Sequence, residues 1–397
     1  MNTTTHHRIV VIGGGTAGIT VAARLGRAGQ ADVAIVEPSG DHYYQPLWTI
    51  VGGGAAKLRS TRRDESAVIP RGVTWLRSAA TDIDPENKVV TTAVGDRVGY
   101  DALVVCPGLK LDFDRTPGLA ETIGRNGTSS NYRYDLAPVT WDNVRNLRRG
   151  TAVFTMPTGP IKCGGAPQKA AYMSADHWRR EGVLDAIDVH LVVPGPEIFG
   201  IEDFAVHLRE VVADYGITLH TRSEMTAVDG DARRATITNL DDGSTTELDY
   251  DMLHAVPHQS APSFISAGPL ADDTGWVDVD RETLRHVRHD DVWSLGDVSS
   301  TPNAKTGAAV RKQAPVVVEN LLAGLEERAP TAAYHGYSSC PLITAKGKVL
   351  LAEFDYDGKP TPTFPVIDTT KPRRDMWYLK RYGLPWLYWN LMLKGRA

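Results

Sequence analysis

Apolar side chains first gather at Ile9-Val10-Val11-Ile12, directly before the triplet Gly13-Gly14-Gly15, and gather again at Val33 to Val36 before Glu37. A short β run, a tight glycine turn, a helix through about Ala28 and a second β run account for this pattern and predict a βαβ unit. The stretch RIVVIGGGTAGITVAARL also has the outline of a secretory signal, a basic residue followed by apolar and small ones. Consecutive glycines would break an export helix, so the segment is expected to be structural and the protein to stay where it is made.

The pattern recurs in altered form. Residues 189–200, VHLVVPGPEIFG, again run from a β stretch into a turn, with Pro194 and Pro196 where the first two key glycines would stand. Proline has a ring and no N–H, so this turn is expected neither to admit a pyrophosphate closely nor to donate to it. YDALVVCPG (100–108) and YDMLHAVPH (250–258) echo each other too, each after a hairpin-like segment with a Gly-Asp or Asp-Asp-Gly turn. A further β run ends at Gly296-Asp297, and a helix is expected from near Thr306. The last stretch, 371–397, sets Trp377, Tyr378, Tyr382, Trp386, Tyr388 and Trp389 among seven basic side chains. A membrane–water interface selects that mixture, and a dimer or domain interface is built from the same residues.

The expected fold class is therefore α/β, with two Rossmann-like dinucleotide-binding domains in tandem and a C-terminal membrane-docking region. Residues 1–120 with 266–328 form the first domain, 121–265 the second with a degenerate NAD turn, and 329–397 the C-terminal region.

Composition narrows the function classes. A chain of 397 residues can bury a sizeable core without disulfide staples, and three widely spaced cysteines cannot make a secreted framework. Forty-three Lys and Arg against 48 Asp and Glu, a net charge of −5, with no dense basic tract, exclude a nucleic-acid partner. No uninterrupted apolar run approaches the ~18 residues of a spanning helix. No metal site is expected.

Candidate chemistry lies at the turns. Gly13, Gly15 and Gly18 have the spacing Gly-x-Gly-x-x-Gly, and Glu37 follows the last of them by 19 residues. Such glycines let the backbone approach a pyrophosphate, the helix N-terminus offers N–H groups to it, and the acid takes ribose hydroxyls. Asp297 suits the ribityl chain of a flavin, although an aspartate at a strand end also serves as a helix cap. Cys163, in IKCGGAPQK, precedes a helix expected near Pro167 and has Lys162 and Lys169 close in sequence. Its pKa should be lowered toward neutrality, and Gly164 and Gly165 leave room for a flat ring, a setting for attack at flavin C4a. Cys340 lies 177 residues away, just ahead of a long β-like run, and spacing alone does not bring the two thiols together. Cys106, in ALVVCPG, fits packing.

The segments GGGTAGIT, HYYQPLWT, KCGGAPQK, WVDVD, GDVSSTPNAKTGAAV, SSCPLITAKGKVLLAEFDY and LYWNLML cover nearly the whole chain. They resemble the sulfide:quinone oxidoreductases, in particular the branch that includes the animal mitochondrial enzyme, within the FAD-dependent pyridine nucleotide-disulfide oxidoreductase superfamily. The resemblance implies that Cys163 and Cys340 are redox cysteines that hold a bridging sulfur at rest, with Lys169 and Lys380 near the active site. It implies FAD contacts for Thr16, Ala17, Glu37, Gln45, Asp297 and Lys305, and for the backbone of Ala80 at the adenine; Gly13, Gly15 and Gly18 of the glycine turn, and Gly108, are expected to bind the same cofactor. TSSNYRYD (128–135) lacks the flavin-linking cysteine of the distant bacterial branch, so the FAD is expected to be noncovalent.

The implied function is oxidation of sulfide to sulfane sulfur, with two electrons passed through FAD to quinone. A thiol, sulfite or sulfide would accept the sulfur. The expected location is peripheral, on the cytoplasmic face of a bacterial-type inner membrane, with no signal or transit peptide, and homo-oligomerisation is left open. The family's final amphipathic helix has no counterpart after LKGRA, which weakens the expectation of anchoring. The rival readings are an NADH:quinone oxidoreductase on the same fold, against which the proline-bearing turn speaks, and a flavin redox sensor without turnover.

Overall fold

A computed structural model describes residues 4–397. The first apolar block ends the strand Thr4–Ile12, and its last four residues are buried because both faces of a parallel sheet are covered. Val33–Val36 and Thr74–Leu76 extend the sheet on one side, and Arg97–Val105 and Val292–Ser294 on the other, all parallel. An antiparallel hairpin, Ala80–Asp84 with Val89–Thr92, pairs with the first half of Arg97–Val105. Ile12 is level with Val36 and with Val105, and Val105 with Ser294. Four strands thus end together, and the residues that follow them, Gly13, Glu37, Gly108 and Asp297 among them, gather at one carboxyl edge. That edge is where open parallel sheets take ligands. The helices Thr16–Arg27 and Gly307–Leu325 share the core on one face.

The second sheet runs Thr128–Ser129, Met252–His254, Gly150–Thr155, Ile187–Val192, Thr218–His220, again all parallel. Its central strand, Gly150–Thr155, leads into the helix Ala166–Arg180 and is flanked by Ile187–Val192, just as Thr4–Ile12 leads into Thr16–Arg27 and is flanked by Val33–Val36. The counterpart of the glycine turn is therefore the segment 156–165, which carries Cys163. The expected match with residues 189–200 is one strand out of place: Pro194 and Pro196 follow the second strand, where Glu37 stands in the first unit. Every buried strand of a parallel sheet reads as an apolar block before a turn, so the pattern does not reveal which strand is central.

The C-terminal region joins the two units. Ser338–Ala345 and Lys348–Phe354 form one antiparallel hairpin, and Cys340 lies within its first strand rather than ahead of it. Side chains alternate between the faces of a strand. Cys340, Leu342, Leu350 and Ala352 accordingly enter the core of the second unit, while Ile343, Val349 and Leu351 enter that of the first. The aromatic terminus folds as consecutive helical segments, Arg374–Tyr378, the π-turn Leu379–Gly383 and Leu384–Asn390. Trp377, Tyr388 and Trp389 are buried in the first core, and Tyr378, Tyr382 and Trp386 are exposed. The expectation of an interface built from all six rings is corrected: half of them are core. Among the described residues no helix is long and apolar enough to cross a membrane.

Candidate active site

The glycine turn is shaped by close approach. A Cβ on Gly18 would lie 1.8 Å from the Gly13 carbonyl oxygen, and one on Gly13, at φ +103°, would lie 2.4 Å from that of Cys106. Gly15 is the opposite case, with open space before it at the start of the helix Thr16–Arg27. Thr16 and Ala17 open that helix, whose first turn has no acidic side chain to oppose its positive end. Both Glu37 oxygens accept backbone N–H bonds at 2.7 Å, from Gly14 and Ser39. Burial pushes the Glu37 carboxyl up and these bonds draw it back. Each oxygen keeps a lone pair for a ribose hydroxyl. Gly108, at φ +76°, also faces open space, and Ala80 packs with Ile12 and Val36.

A second group surrounds Asp297. Burial raises the pKa of this carboxyl, and the ammonium groups of Lys162 and Lys305 oppose the shift. Lys305 donates to the Ser299 carbonyl at 3.0 Å and stands 4.0 Å over the Trp276 ring, and burial brings its pKa down to about 8. Lys162, lowered to about 8 by the same cause, donates to Gln45 Oε1 at 2.6 Å. Lys162 thus turns toward Gln45, and the other expected lysine, Lys169, is the one that reaches the thiol.

Cys163 has φ +52°, a left-handed conformation that costs on the order of 1 kcal/mol for a residue with a Cβ. Three bonds hold it there: its N–H donates to the Lys305 carbonyl (2.9 Å), and its own carbonyl accepts from Ala166 N–H (2.8 Å) and Tyr132 Oη (3.2 Å). Lys169, buried in the first turn of the helix Ala166–Arg180, places Nζ 2.9 Å from Cys163 Sγ. Cys340 reaches the same sulfur from the C-terminal hairpin. A hydrogen bond from the Cys340 thiol, then the charges of Lys169 and Lys380, hold Cys163 well below the usual thiol range, while Cys340 is raised by being the donor. Both shifts favour the negative charge on Cys163 and the proton on Cys340. Lys380 comes from the π-turn, and burial with the nearby Lys169 charge lowers its pKa to about 7. Cys106 is buried, its Sγ directed at the Gly13 carbonyl (3.9 Å), and burial pushes its pKa far up.

Known proteins are similar to the chain over almost its full length. The pyridine nucleotide-disulphide oxidoreductase family matches residues 7–143. The mitochondrial sulfide:quinone oxidoreductase of Mus musculus is 38% identical over 392 residues, 98% of this chain and 87% of that protein. That of Dictyostelium discoideum is 39% identical over 393 residues, with 98% and 86% covered. The chain belongs to the sulfide:quinone oxidoreductase family. The X-ray structure of the sulfide:quinone oxidoreductase from Aquifex aeolicus superposes with a TM-score of 0.83 at 18% identity, covering 99% of this chain and 92% of that one, so the fold is shared. FAD is the cofactor of this family. The residues here fit it: an open glycine edge suits the pyrophosphate, and a cluster of cations around Asp297 suits a ring that gains negative charge.

In this member of the sulfide:quinone oxidoreductases, several supports of the cysteine loop have no signature in spacing. Glu224 Oε1 accepts from Thr158 N–H at 2.9 Å, and Gln259 Oε1 accepts from Lys162 N–H at 2.8 Å. With Tyr132 they fix the segment 156–165 from three different strands or strand ends. Only Tyr132, within TSSNYRYD, lies in a stretch that attracts notice in the sequence.

Proposed function

We propose that the protein oxidises sulfide to sulfane sulfur at Cys163 and Cys340 and delivers two electrons to a quinone. The observation that carries this is the convergence of two sulfurs, remote along the chain, on two buried lysines, with Lys169 Nζ 2.9 Å from Cys163 Sγ. Sulfide loses two electrons in becoming sulfane sulfur, and quinone gains two electrons and two protons. FAD, when bound, supplies the two-electron carrier between them. In the oxidised protein the hydrosulfide attacks the sulfur link between the cysteines at Cys340. A bond from the incoming sulfur to Cys340 forms as the link breaks, Cys340 keeps a persulfide, and Cys163 leaves as the thiolate whose electron pair FAD, when bound, would accept. The ammonium of Lys169 attracts the hydrosulfide anion, and Lys380, titrating near neutrality, takes up in its neutral form the proton that sulfide sheds. A small sulfur nucleophile (a thiol, sulfite or sulfide itself) then removes the sulfane sulfur from Cys340. Gly13, Gly15, Thr16, Ala17, Gly18, Glu37, Gln45, Ala80, Gly108, Asp297 and Lys305 bind the FAD, without a covalent link.

The exposed rings Tyr378, Tyr382 and Trp386, spaced four residues apart along the terminal helical segments, provide the surface by which the protein rests on a membrane and meets quinone.

The test is an anaerobic titration of the FAD-loaded protein with sulfide, followed by visible absorbance. A long-wavelength charge-transfer band in the wild type that is lost in Cys163→Ser supports the assignment. Flavin bleaching by NADH and none by sulfide would overturn it.

A further inference from the structure

Behind the glycine turn lies a chain of buried polar groups that sulfide chemistry does not use. His42 Nδ1 is 3.1 Å from the Gly14 carbonyl and 3.2 Å from Glu65 Oε2, and its Nε2 is 2.6 Å from Tyr388 Oη. Tyr388 Oη is in turn 2.9 Å from Thr16 Oγ1. Glu65, His42 and Tyr388 are all buried. Both neighbours of His42 Nδ1 are acceptors, so this nitrogen carries the proton. In the neutral ring Nε2 then accepts from Tyr388, and the Tyr388 oxygen accepts from the Thr16 hydroxyl. Tyr388 belongs to the terminal helix Leu384–Asn390, where its ring packs 4.5 Å from that of Tyr44. The helix Leu384–Asn390 is thus bonded to the first residue of the helix that follows the dinucleotide turn, and through His42 to the turn itself.

We propose that Tyr388 is a positioning residue for the flavin. Its hydroxyl turns the Thr16 side chain inward and fixes the start of the helix, which leaves the backbone N–H groups of the turn as the donors toward pyrophosphate. Docking of the terminal helix and occupation of the turn then stabilise each other, since coupling between two sites is reciprocal. The proposal rests on the assignment of FAD to this edge.

The test removes FAD from wild type, Tyr388→Phe, Thr16→Val and the double variant, then titrates it back. Flavin fluorescence and the FAD-induced rise in melting temperature are the readouts. Tyr388→Phe should bind FAD ~5–10-fold more weakly and show a smaller FAD-induced rise, the effect of one buried hydrogen bond. The double variant should be no weaker than the weaker single one. Tyr334→Phe, which removes another buried hydroxyl, bonded at 2.7 Å to the Tyr337 carbonyl, should melt lower yet bind FAD as wild type does. Equal FAD affinity in Tyr388→Phe and wild type, or additive losses in the double variant, would overturn the proposal alone. A wild-type protein with no affinity for FAD would overturn the flavin assignment with it.

Discussion

Two connections occupy the same place in the two sheets and do opposite things with it. In the first unit three residues, 13–15, join the central strand to its helix, whereas in the second it takes ten, 156–165. Both deliver an anion to the start of a helix, where the partial positive charge favours it. The short turn is made of glycine and presents backbone N–H groups to an open edge. The long one fills that edge with its own atoms, and the group favoured as an anion there is its own Cys163 sulfur, bonded to Lys169. The second edge is also closed from outside: a Cβ on Gly165 would lie 2.4 Å from Leu342 of the C-terminal hairpin. Where Glu37 directly follows its strand, Val193 follows Val192 in the second unit, and the first acid beyond it, Glu197, is engaged with Arg209 at 2.6 Å and with the Ile198 N–H at 2.8 Å. On the proposed function, the first edge takes the nucleotide and the second handles sulfur. Separate losses at the two turns are the consequence to test.

The largest effect is expected at the second turn. Cys163→Ser should lower sulfide-dependent quinone reduction on the order of a thousand-fold or more while FAD remains bound, as read from turnover and from flavin absorbance. Gly18→Ala should do the reverse. Its new Cβ meets backbone, so the purified protein should lose ~10–100-fold in FAD affinity, whereas Gly200→Ala, which faces open space, should stay within about 0.5 kcal/mol of wild-type stability with full flavin. A Cys163→Ser protein that releases its flavin, or a Gly18→Ala protein that keeps it, breaks the comparison.

Lys169→Met sharpens it. Loss of the ammonium beside the sulfur should raise the thiol pKa and slow alkylation of Cys163 by iodoacetamide at neutral pH about 10–100-fold, with flavin content unchanged. The last signal concerns Lys380, whose folded pKa of about 7 lies below the ordinary lysine value near 10.4. Between those values the unfolded chain binds more protons than the folded one, so the Lys380 contribution to stability is least below pH 7 and grows as pH rises. Relative to Lys380→Met, wild type should gain up to about 1.4 kcal/mol per pH unit across that window in denaturant titrations.

The nucleotide turn was legible because everything it needs is close in sequence: a strand, three glycines, a helix and an acid within Ile9–Glu37. The setting of Cys163 was half legible. Its helix and Lys169 follow within a few residues, but consecutive side chains diverge, and only the folded backbone shows Lys162 turning to Gln45 while Lys169 turns to the sulfur. The repeat was misplaced by one strand, since buried parallel strands share one apolar signature and differ in their neighbours. The terminal aromatics were equally ambiguous, because burial against the first core and exposure on the opposite helical face draw on the same ring chemistry.

By itself the sequence determined the local pieces: which segments are strands and helices, where glycine is sterically required, and which thiol stands at a helix start beside a lysine. Those depend on bonded geometry and on neighbours within about a turn or two. Tertiary structure alone decided that Cys340 meets Cys163, that Lys380 joins them, and that Tyr388 closes on Thr16. Such meetings follow from strand register and from which face of a two-sided hairpin enters which core, and an apolar pattern specifies that a side chain is buried without specifying its partner.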